Sequence, residues 1–84
     1  MLQVVSVTLP GSKMRLLGFI TRSDFDGLPA GIGKPDEVAV YLPMSYQIGG
    51  YMVMLPREQA VPVEMSREEA MKFVLTAGLK TSSP

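Results

Sequence analysis

The chain has 84 residues, 46% of them apolar, with eight basic and eight acidic side chains and no cysteine, histidine or tryptophan. That length holds one domain with a small core, and a net charge of zero with scattered cations offers no general attraction for nucleic acid or an acidic membrane surface. The missing residue types exclude an imidazole base near neutral pH, a thiolate nucleophile, a disulfide framework and the usual zinc, haem and iron–sulfur ligand sets.

Residues 3–9 place Val5, Val7 and Leu9 on one side and Ser6 and Thr8 on the other, the period of a strand. Pro10 and Gly11 predict a turn, after which the apolar run 14–21 returns as the second arm of a hairpin. Residues 22–37 hold Gly27, Pro29, Gly31, Gly33 and Pro35 among three aspartates, a density of breakers that predicts a loop with one helical turn at 23–25. Phe25, Leu28 and Ile32 are spaced to pin that loop to the core.

The runs 38–42 and 51–55 are apolar throughout and exit at Pro43 and Pro56, which reads as two strands buried on both faces. Each is about five residues long, against the roughly 20 needed to cross a bilayer, and the N-terminus has no pattern of an export signal. The connection 44–50 is too long for a tight hairpin and holds Tyr46, Ile48 and the Gly49–Gly50 pair. It is placed to fold over a sheet edge or to reach another chain. Residues 60–65 predict a final short strand, in which Pro62 argues for an edge.

The strongest local signal is a C-terminal helix. Ser66 and Glu69 form a capping box, and Glu68 and Glu69 suit the positive end of the helix dipole. Ala70, Phe73, Val74 and Ala77 recur at helical spacing, Met71 and Leu75 widen the apolar stripe, and Gly78 is the expected C-cap. The fold class is α+β: a small mostly-β domain of about five short strands, in a twisted sheet or partly open barrel, with one C-terminal helix. It occupies residues 1–80, and 81–84 form a flexible tail.

The motifs that invite a chemical reading fail on spacing. Gly31, Gly33 and Lys34 suggest a phosphate loop, yet Leu28 stands where the first glycine belongs and Pro35 where Ser or Thr must follow the lysine. Asp24, Asp26, Asp36 and Glu37 do not complete a calcium loop, and Asp24 is better suited to capping a turn. The serines have no histidine to activate them. The reading is therefore not an enzyme, with no catalytic, metal or cofactor residues. Seven methionines could form an adaptable surface, but Met52 and Met54 lie within an apolar strand and read as core filling. Tyr46, Ile48 and Tyr51 are the candidates for contact with a partner.

The order of motifs adds a resemblance. Residues 18–21 (Gly-Phe-Ile-Thr), 38–43 (Val-Ala-Val-Tyr-Leu-Pro), 50–58 (Gly-Tyr-Met-Val-Met-Leu-Pro-Arg-Glu) and 64–72 (Glu-Met-Ser-Arg-Glu-Glu-Ala-Met-Lys), closing on Ala77–Gly78, resemble the domain-of-unknown-function family 502, bacterial membrane proteins related to the plant LIKE-COV proteins. Many bacterial members have a Pro- and Thr-rich stretch where this chain has Met44 to Gly50. The resemblance implies two membrane-spanning helices ahead of a C-terminal soluble part on the cytoplasmic side, and, the family having no established catalytic activity, no active-site residues to carry over. The resulting expectation is a non-enzymatic cytosolic interaction or assembly domain of a membrane protein. Its partner would be another protein or further copies of itself in a homo-oligomer, with no nucleic acid. The alternative is a small-molecule or metal-ion sensing domain that uses the loop from Asp24 to Glu37.

Overall fold

The computed structural model of the chain describes residues 3–44 and 49–79, in which one helix packs on a five-stranded antiparallel sheet. The strands are β1 (Gln3–Thr8), β2 (Arg15–Arg22), β3 (Glu37–Pro43), β4 (Gly50–Pro56) and β5 (Ala60–Pro62), and the helix is α1 (Arg67–Leu75). Their spatial order is β4-β3-β2-β1-β5, and no ladder joins β4 to β5 among the described residues, so the sheet is open rather than a closed barrel.

The opening hairpin forms as its turn chemistry predicts. Ser12 N donates to Leu9 O at 3.1 Å, with Pro10 at the second position and Gly11 at φ 76° in the third, the geometry that a type II turn assigns to proline and glycine. The register then pairs Val4 with Phe19, Val5 with Gly18 and Val7 with Leu16. Since cross-strand partners share a face, two apolar layers follow. Val5, Val7, Val38, Val40, Leu42, Leu55 and Ala60 are buried on the inner face. Val4 and Phe19 are buried on the outer face against Ala70 of α1, with Leu17, Tyr41, Val63, Met65 and Met71 half-buried around them.

A short three-residue 3₁₀ turn, Arg57–Gln59, joins β4 on one edge to β5 on the other. Fully extended, the link from Pro56 to Ala60 reaches about 14 Å, whereas a flat sheet would separate its outermost strands by roughly 19 Å. The sheet must therefore curl about its inner face. Leu55 of β4 and Ala60 of β5 accordingly share one core cluster with Val7.

Helix α1 starts on the predicted cap: Ser66 Oγ accepts from Glu69 N at 3.0 Å, and Glu69 Oε1 accepts from Ser66 N at 3.1 Å. Ser66→Ala removes one half of that exchange, and urea unfolding should show a loss of about 1 kcal/mol. The helix ends at Thr76, after which Ala77 and Gly78 both take positive φ and Gly78 N donates to Phe73 O at 2.7 Å.

Several expectations are corrected. The last strand covers only Ala60–Pro62, because beyond Pro62 the chain leaves the ladder after a single bond from Val63 N to Val4 O. The loop has no helical turn at 23–25; its first turn closes from Leu28 N to Phe25 O. Of the three proposed anchors only Phe25 is half-buried, packed on Gly33, while Leu28 and Ile32 are exposed. Strand β4 is not buried on both faces, and Met52 is 57% exposed rather than core filling. The physical reason is the size of α1. A nine-residue helix is about 13 Å long and 10 Å wide, enough to roof two or three strands of a five-stranded sheet.

Candidate functional site

Of the three residues singled out for partner contact, Tyr46 and Ile48 lie outside the described residues, and Tyr51 is 65% exposed near the start of β4. Tyr51 is paired with Leu42 and so lies on the inner-face side, whereas its neighbour Met52 belongs to the outer face. One row of side chains runs across four strands, Val4–Phe19–Tyr41–Met52, set by the pairing of β1 with β2, β2 with β3 and β3 with β4. Its members are progressively uncovered: Val4 and Phe19 are buried beneath α1, Tyr41 is half-buried, and Met52 is exposed. The neighbouring row places Met54, also exposed, beside Ala39.

Thr21 sits at a shift in the β2–β3 register, with its hydroxyl 3.4 Å from Ala39 O and 3.9 Å from Met52 Sδ. Where the first turn of α1 meets this face, Phe19, Tyr41 and Met71 line a shallow groove whose rim holds one cation, Arg67, and one anion, Glu68. The patch is therefore apolar, almost uncharged and continuous with the buried outer layer. The sequence alone assigns Met52 and Met54 to the core and does not single out Tyr41. The available signal was that Gly50–Pro56 contains no charged residue, which an edge strand facing water ordinarily has.

The 23–36 loop is braced from both sides. Arg22 donates to the carbonyls of Asp24 and Asp26 at 3.1 and 3.0 Å, and Arg57 donates to Ser23 O through its guanidinium and to Asp36 O through its amide, both at 2.9 Å. Asp24 Oδ1 accepts from Asp26 N at 3.0 Å, as expected of a turn cap, and Glu37 Oε1 accepts from Lys34 N at 2.9 Å. Two of the carboxylates thus serve the backbone of the loop itself. Among the described residues no group of three acidic side chains is placed to hold a metal ion, and no polar or charged side chain is buried. Among them, too, no helix is long and apolar enough to cross a membrane.

The profile of a family described as Protein of unknown function (DUF502) matches residues 1–50, which take in β1, β2, the braced loop, β3 and the first residue of β4. No curated protein and no solved structure matches the chain.

Proposed function

Because the chain belongs to the DUF502 family of proteins of unknown function, we propose that it acts as a protein-contact module, without catalysis of its own, on the cytoplasmic side of a membrane-anchored parent. The observation behind the contact reading is the uncovered half of the outer face. Met52 and Met54 stand exposed beside Tyr41, on a strand with no charge. Exposed apolar side chains in contiguous patches cost solvation free energy that a partner relieves, and methionine adapts its shape to whatever covers it. The parent's membrane anchor and its orientation rest on the family resemblance set out above.

Site-specific photocrosslinking in cells tests the contact reading. A photoreactive phenylalanine analogue placed at Met52 or Met54 should yield a discrete protein adduct, and one at the exposed Lys13 in the β1–β2 turn should not. Equal yields at the three positions would refute it. Carbonate extraction of membranes from cells expressing the full-length protein tests the anchor, with retention in the pellet as the expected result.

A further inference from the structure

The two edges of the sheet are built differently. At one edge β5 is three residues long and contains Pro62, two devices that blunt an edge against strand addition. At the other, β4 has seven residues and no charge, and its only proline is the last, Pro56. Its ladder is made with β3 alone. On the side away from β3, no backbone hydrogen bond is made by residues 51–54 among the described residues. Leu55, further on, is buried against the inner cluster, so the open stretch is 51–54, with Tyr51, Met52 and Met54 exposed along it.

We infer that this open edge of β4 pairs antiparallel with β4 of a second copy of the chain about a two-fold axis, so that the two sheets join into one. The inference rests on the reading of this surface as a contact site and names its occupant. Charge placement favours a second copy. The nearest charges, Arg57 and Glu58, lie beyond one end of the strand. In an antiparallel pair the two copies of each therefore fall at opposite ends of the shared ladder, where like charges do not meet. A two-fold axis normal to the sheet also keeps outer face with outer face, setting Met52 and Met54 of one copy against those of the other. A strongly acidic or basic peptide would find no matching charge on the strand. Pairing over so few residues buries less than the ~800 Å² per partner of a standard interface, so the dimer is expected to dissociate in the micromolar range.

Sedimentation of the 84-residue chain should give the monomer mass at about 1 µM and the dimer mass at about 100 µM. Met52→Lys should weaken association at least ~10-fold, with an unchanged circular dichroism spectrum because the side chain is already exposed, whereas Val61→Lys on the β5 edge should leave association unaltered. The chain has no cysteine, so single cysteines report contacts without background. Under mild oxidation at least one of Tyr51→Cys, Met52→Cys, Val53→Cys and Met54→Cys should form a disulfide-linked dimer at least ~10-fold faster than Val61→Cys. A monomer at the higher concentration would overturn the inference, as would a dimer in which Val61→Cys crosslinks as fast as every β4 position. If the purified chain is monomeric while position 52 still crosslinks a different protein in cells, the occupant is wrong and the contact reading stands.

Discussion

Phe19→Ala is expected to lower the unfolding free energy by about 3–5 kcal/mol, the range for emptying a buried aromatic site. Phe19 is 3% exposed and is the largest buried side chain of the outer layer, lying between Val4 of β1 and Ala70 of α1. Its loss leaves a void that the flanking Leu17, Tyr41 and Met71 fill only in part. A domain of this size has about 4–12 kcal/mol of stability in all, so a large share of the margin is at stake. Urea unfolding followed by far-ultraviolet circular dichroism gives the number. Amide exchange should locate the damage, with α1 losing protection before β2 and β3. A loss below about 1 kcal/mol would mean that α1 is held to the sheet by something other than this contact.

Gly18→Val is expected to be nearly as damaging by the opposite mechanism. Gly18 points to the inner face, and a Cβ there would stand 2.8 Å from Leu42 Cδ2 and 2.9 Å from both Tyr41 O and Val40 Cγ1. One of those three is backbone, so a rotamer change cannot relieve the clash and β3 has to move away from β2. Overpacking of this kind costs about 1–3 kcal/mol or more. Valine favours extended structure and replaces a glycine whose unfolded state is unusually free, a gain of about 0.5–1 kcal/mol. Sterics win. Gly18→Ala should fall between wild type and Gly18→Val in the same titration, and a stabilised alanine variant would show that the sheet has slack at its centre.

What was legible in the sequence divides by range. The Ser66–Glu69 box, the Pro10–Gly11 turn and the braced Asp24 turn were all readable, because each is decided by residues within a few positions of one another. The five strands were visible as apolar runs, and Pro62 correctly marked one edge. The second edge was hidden. The run 51–55 has the same composition whether helix or water faces it, and the choice depends on how far α1 reaches and on where β4 falls in the order β4-β3-β2-β1-β5. That order pairs Val5 with Pro62, a separation that no local pattern encodes. The same ambiguity assigns Met52 and Met54 to the core and puts Tyr51, a candidate for partner contact, inside a run that reads as buried on both faces, whereas all three are exposed. The family match ends at Gly50, before the exposed part of the patch begins.

The pairing of β1 with β5 also bears on how the molecule comes to be folded. Strand β1 finds one neighbour at once in β2, but its other neighbour, β5, follows in sequence only after β3 and β4. Until then Val5 and Val7 lack the side of the core that Leu55 and Ala60 provide. Such long-range closure slows two-state folding toward milliseconds or longer. During translation the incomplete sheet thus keeps apolar strands without their core partners until β5 is made.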